Sequence, residues 1–248
     1  MKGLEVFGNP SSLHRAGLDA ELLVSDAREA IADALGVTPD EVYFTSGATE
    51  SNNTAIFGAY KAHGKRKKRV VISSVEHPAV KNPAQELEDM GCEVIRISPD
   101  ENGEINARDI FAAVNEDTFL VSCMLVNNEN GYILPVEKAF SMIKKKYPQV
   151  LTHCDCVQGF MKIPVKAKKL NADMISLSGH KIYAPKGIGA LYVKKGVHIP
   201  PFMLGGGQEK GFRSGTESVP LICGFGAAVK KLAPNVSANF EKAADIQA

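Results

Sequence analysis

Short apolar runs alternate along this chain with longer stretches of helical periodicity, and only brief polar segments separate them. Residues 14–36 carry Leu22, Leu23, Ala27, Ala30, Ile31, Ala34 and Leu35 at three- and four-residue spacings, and Gly36 closes the pattern. Strands are expected at 41–44, 68–73, 92–97, 118–126, 150–154, 173–178 and 188–195. Helices are expected at 45–62, 77–91, 106–115, 136–147 and 218–232. Strand and helix in turn, with short connections, imply an α/β layer fold with a mainly parallel sheet. Several strands are apolar throughout, as expected where helices cover both faces in a three-layer α/β/α arrangement.

In such sheets ligands collect at the carboxyl ends of strands. Here those ends read TSGATESNN, SVEHPAV, NNENG, DCVQ and GHK. They are polar, glycine-bearing and rich in groups useful to chemistry. A sheet with a purely structural role has no need of them.

Composition narrows the classes. A formal net charge of +1 gives no overall pull toward nucleic acid or membrane. No apolar stretch reaches bilayer length, and MKGLEVFGNPSS lacks a signal-peptide core, so the cytoplasm is the expected compartment. The 5 cysteines are odd in number and unlike a disulfide framework in spacing. Cys154 and Cys156 beside His153 read as strand packing in preference to a metal site, so no metal is expected. KRKKR at 65–69 reads as a solvated corner at a helix end.

Three features carry chemistry. TSGATE resembles a phosphate cradle: Gly47 permits close backbone approach, and Ala48 and Thr49 open a helix whose free N–H groups suit an anion. Ser178 and His180 reach the same anion if the strand ends converge. Asp155 follows a strand of buried character, where a carboxylate needs a cation or several donors. Lys181 lies in SLSGHKIYAPKGIG, which also reads as an ordinary hairpin with a solvated lysine. A phosphate cradle, a lysine able to form a Schiff base and a strand-end aspartate together describe a site for pyridoxal 5′-phosphate (PLP). His77 is placed to stack on such a ring, and Gln158 and Asn128 to bond its phenolic oxygen or the substrate.

FGNPSSLH (7–14), FTSGATESNN (44–53), EHPAV (76–80), VNNENG (126–131), HCDCVQ (153–158), SLSGHKIYAPKGIGALYV (176–193) and GGGQEKGFRSGTESVP (205–220) resemble the cysteine desulfurases, in the class V group of fold-type I PLP enzymes. The resemblance implies that residues 1–248 are a PLP-binding large domain, truncated before a C-terminal small domain. It implies conversion of L-cysteine to L-alanine with sulfur passed to an enzyme thiol and then to an acceptor protein, as in iron–sulfur cluster assembly. Lys181, His77 and Asp155 become the catalytic set. Ala48, Thr49, Asn128, Gln158, Ser178 and His180 become cofactor ligands. Thr216 would reach the phosphate of a neighbouring subunit, which implies a homodimer. Arg213 either borders the site or holds its loop. The family's opening DNAATT segment, its nucleophilic cysteine on a mobile loop and its carboxylate-gripping arginine have no counterpart. A non-catalytic PLP-binding scaffold and a selenocysteine lyase-like enzyme therefore stay open beside the desulfurase.

Overall fold

In this computed structural model, residues 2–247 are described. In chain order the elements are α1 (Lys2–Glu5), α2 (Arg15–Leu35), β1 (Val42–Thr45), α3 (Ala48–His63), β2 (Arg69–Ser73), α4 (Pro78–Asp89), β3 (Glu93–Ile97), α5 (Ala107–Ala112) and β4 (Thr118–Ser122). There follow α6 (Val136–Lys146), β5 (Leu151–Asp155), α7 (Ala167–Leu170), β6 (Met174–Ser178), β7 (Gly189–Val193), α8 (Val219–Leu232) and α9 (Val236–Gln247).

The strands form one sheet in the order β1-β7-β6-β5-β4-β2-β3. β7 runs antiparallel to both of its neighbours, and the other pairings are parallel. Side chains alternate between faces along each strand. Val71, Val121, Ile175 and Ala190 join α2, α5, α6 and α8 in one core, whereas Val70, Ile72, Met174 and Leu191 join α3 and α4 in the other. Both faces are therefore apolar, which explains the unbroken apolar runs. Each fully buried large side chain, Phe119 and Phe140 among them, contributes about 1.5–3 kcal/mol.

Two elements end three or more residues before the periodicity predicts. The strand expected at 118–126 ends at Ser122. Cys123 and Leu125 still donate to the carbonyls of His153 and Asp155, but the Met124 N–H turns the other way and is taken by the Glu76 carboxyl. A side chain thus replaces the β2 ladder at that point. The helix expected at 106–115 ends at Ala112. There the Asn115 side chain accepts from Asp117 N–H at 3.0 Å and builds a turn in place of another helical bond.

SLSGHKIYAPKGIG is indeed a hairpin, since β6 and β7 pair antiparallel across it. Its connection opens with a 3-10 turn, Gly179–Ile182, closed by Tyr183 at φ 65°. Gly189 at the start of β7 lies against the glycine that precedes α3. A Cβ there would stand 2.7 Å from Gly47 Cα and 2.6 Å from the Leu177 carbonyl oxygen. Gly189→Ala is expected to destabilise the chain by about 1–3 kcal/mol, read as a lower urea midpoint in equilibrium unfolding.

In the sheet centre, His153 is fully buried between the Ser122 hydroxyl (2.8 Å from Nδ1) and the Ser176 hydroxyl (2.9 Å from Nε2). Burial pushes its pKa down to about 3, so the ring is a neutral bridge across three strands. Cys154 and Cys156 are buried beside it with their sulfurs 3.5 Å apart. Among the described residues no cluster of three or more His, Cys, Asp or Glu side chains is placed to hold a metal ion, and no helix is long and apolar enough to cross a membrane.

Candidate active site

The carboxyl ends of β1, β2, β4, β5 and β6 open onto one cleft of about 480 Å³. Ala48, Thr49, His77, Asn128, Asp155, Gln158, Ser178, His180 and Lys181 all line it. Thr216 does not; it is exposed on the segment after Arg213.

The cradle rests on backbone geometry. Gly47 stands at φ 152°, ψ 176°, a conformation that favours glycine, and α3 starts at the next residue. The Ser51 N–H is the first to bond back, to the Gly47 carbonyl. The N–H groups of Ala48 and Thr49 precede that ladder, as expected at a helix N-terminus. Glu50 in this first turn does not compete for the anion's place. Its carboxylate takes Arg213 Nε and Nη2 at 2.8 and 3.1 Å and the Ser46 N–H at 2.9 Å. Burial raises the Glu50 pKa, but those donors outweigh it and hold it below the ordinary value. Arg213 thus holds its loop and also borders the cleft through Glu50.

On the opposite side, the Ser178 hydroxyl meets His180 Nδ1 at 2.9 Å, which leaves His180 Nε2 for a ligand. Partial burial, then the positive charges of Lys181 and Lys186, lower the His180 pKa. His77 caps α4: its Nδ1 accepts the Ala79 N–H at 3.1 Å, so the ring proton sits on Nε2. The Gln158 side-chain oxygen accepts from Lys162 Nζ at 2.5 Å.

Asp155 is 4% exposed. One oxygen accepts the Val157 N–H at 2.9 Å and the other the Asn52 amide at 2.8 Å. Burial raises its pKa, and these two donors, with His77, only partly offset that. It is a buried carboxylate in want of a cation. Asn52 itself is fully buried, and its side-chain oxygen has no partner among the described residues.

Asn52 and Glu76 were not picked out from the sequence. A signal for Asn52 existed: helical spacing sets it on the same face as Ala55, Ile56 and Ala59, so a polar side chain was bound to be buried there. Glu76 lies in a connection, where no periodicity reports burial.

The match to known proteins is consistent with this cleft. The family model for class-V aminotransferases matches residues 4–247. The chain belongs to the class-V aminotransferase family. Among curated class-V relatives, the chain is 47% identical over 229 residues to a NifS/IcsS protein homolog of Lactobacillus delbrueckii subsp. bulgaricus, covering 92% of this chain and 59% of the relative. It is 44% identical over 226 residues to a cysteine desulfurase IscS of Dictyoglomus turgidum, covering 91% of this chain and 57% of the relative. A solved structure described as SspA in complex with cysteine superposes with a TM-score of 0.88 at 41% identity, covering 92% of this chain and 66% of that one. This class-V chain thus spans less than two thirds of the length of each.

PLP is the cofactor that the family assignment implies, and the residues present fit it. A buried carboxylate without a cation suits a protonated ring nitrogen, and a free helix N-terminus suits a phosphate. A lysine stands in the same cleft.

Proposed function

We propose that this chain is the cofactor-binding large domain of a PLP-dependent cysteine desulfurase, which converts L-cysteine to L-alanine and passes sulfur to a thiol. The observation that carries the reading is the meeting of Lys181, the cation-seeking Asp155 and the α3 N-terminus in one cleft. The names of the relatives and the cysteine complex of a structural neighbour support the substrate.

PLP, when bound, supplies an electron sink that acidifies the α-carbon of an amino acid. Lys181 would hold the cofactor's aldehyde carbon through its side-chain amine. Asp155, aligned by Asn52 and the Val157 N–H, would keep the ring nitrogen protonated. The backbone N–H groups of Ala48 and Thr49, the Ser178 hydroxyl and His180 Nε2 would hold the phosphate. Asn128 and Gln158 would bond the phenolic oxygen or the substrate. His77 would cover the ring face and move a proton at the substrate.

Sulfur acceptance needs an accessible thiolate of low pKa. Cys92, Cys123, Cys154 and Cys156 are buried, and burial raises the pKa of Cys92, Cys123, Cys154 and the half-buried Cys223. The accepting thiol is therefore assigned to a residue other than these. The same burial favours a second reading, in which this stretch of chain binds PLP without turning cysteine over by itself.

A cytoplasmic homodimer serving a sulfur-acceptor protein completes the proposal. The exposure of Phe7 (93%), Leu13 (93%), Tyr183 (92%) and Leu204 (83%) supports a partner surface, and the exposed Thr216 is free to meet a partner's phosphate.

The test is to incubate the chain with PLP, reduce it with borohydride and locate the adduct by peptide mass, then assay sulfide and alanine from L-cysteine. A pyridoxyl group on Lys181 with sulfide release is expected for the desulfurase. An adduct without sulfide supports the second reading, and no adduct on Lys181 overturns both.

A further inference from the structure

Glu76 has no task in the reading above. It is 1% exposed and joins the end of β2 to α4, immediately before His77. Its Oε1 contacts the Ser73 hydroxyl and accepts the Met124 N–H at 2.7 Å. Its Oε2 is buried without a partner among the described residues. Met124 lines the cleft together with His77 and Asp155.

The charges around this carboxyl do not favour its ionised form. Asp155 on β5 repels it, Lys81 on α4 attracts it only weakly, and Cys123 after β4 is a thiol whose own pKa is pushed up. Burial is the dominant influence and pushes the Glu76 pKa up to about 8, against the hydrogen bonds from Ser73 and Met124. An anion with one buried, unpartnered oxygen is costly, whereas the neutral acid still accepts from Ser73 and Met124 at Oε1 and leaves no charge in the apolar interior.

We propose that Glu76 is a positioning residue held as the neutral acid, which pins the Met124 backbone to the end of β2 and so fixes the turn that carries His77, without setting a second negative charge beside Asp155. The consequence for the ring nitrogen rests on the PLP reading. The protonation state and the pinning do not.

The first measurement is urea unfolding of the cofactor-free chain and of Glu76→Gln from about pH 5 to about pH 9. Glutamine keeps the volume and the acceptor of the neutral acid. The unfolded glutamate ionises near its ordinary 4.5 and the folded one near 8, so in this window the folded state holds the extra proton. Wild type therefore loses stability relative to Glu76→Gln as pH rises. Comparing the two cancels most of the titration of Asp155 and the histidines. The ratio of their unfolding constants is expected to change by more than about tenfold. A ratio that stays flat overturns the neutral acid.

The second measurement is PLP captured on Lys181 by borohydride at sub-saturating PLP. Glu76→Ala is expected to lose more than about tenfold, and Glu76→Gln to restore capture close to wild type. Equal capture by all three overturns the positioning role. If wild type itself captures no PLP, the cofactor reading fails, and the unfolding comparison still decides the ionisation state.

Discussion

Lys181→Ala is expected to abolish the borohydride-reducible PLP adduct, while Lys186→Ala and Lys162→Ala leave it in place. The charge of Lys181 lowers the Lys162 pKa after burial, and those of Lys181 and Lys186 lower the His180 pKa, so all three lysines are neighbours of this part of the cleft. Only Lys181 combines a rigid root with a free tip. It sits in the 3-10 turn between Ser178 and Tyr183, which follows directly on β6. Lys162 is tied to Gln158, and Lys186 lies in the Pro-Lys-Gly connection. Peptide mass after reduction checks this directly. A pyridoxyl group on Lys186 in either protein would move the covalent role to that residue.

The second large effect is on stability. Arg28→Ala is expected to destabilise the chain by about 3–5 kcal/mol. Arg28 on α2 grips Glu209 in a two-pronged pair, with both contacts at 2.7 Å, and also donates to the Val42 carbonyl. Its guanidinium lies 4.7 Å from the centre of the Phe44 ring. The Glu209 side chain is 1% exposed, and its remaining donor is the Phe44 N–H at 2.9 Å. Truncating the arginine leaves a buried carboxylate without a cation, which is the costly half of breaking such a pair. Glu209 and Lys210 both sit at positive φ, at 46° and 57°, so the pair also holds strained backbone in place. The double variant Arg28→Met with Glu209→Leu should recover much of the loss, because no orphaned charge remains. Urea unfolding of the singles and the double measures it. A loss below about 1 kcal/mol in the single variant would show that the pair behaves like a surface ion pair.

Much of this architecture could be read from periodicity, because helix and strand are set by local pattern. The α2 stripe and the apolar strands fell where spacing predicted, and so did the polar segments at strand ends. Pattern failed where one side chain redirected the backbone. Glu76 takes the Met124 N–H and stops β4 early, and Asn115 turns the chain at the end of α5. Neither event leaves a trace in hydropathy. The cleft residues were visible as motifs, because lysine, histidine and aspartate are conspicuous at strand ends. What held them was not. Asn52 was within reach through its helical face, but Glu76 and the Arg28–Glu209 pair depend on contacts between segments far apart in sequence. The hairpin and the chemical readings of residues 176–189 did not compete: the hairpin is the means by which the lysine is presented.

The pairing of β1 with β7 joins residues 42–45 to residues 189–193. The proposed phosphate cradle follows the first strand, yet that strand is an edge whose partner comes late in the chain. Such a contact carries a long loop-closure entropy and raises contact order, which slows folding. During synthesis the central strands β2 to β6 can associate while β1 waits unpaired, with Gly47 and the start of α3 unsupported until β7 has left the ribosome. The anion site is thus among the last parts of the molecule to take shape. A nascent chain released before about residue 193 would hold most of its sheet but leave the start of α3 without its β7 support.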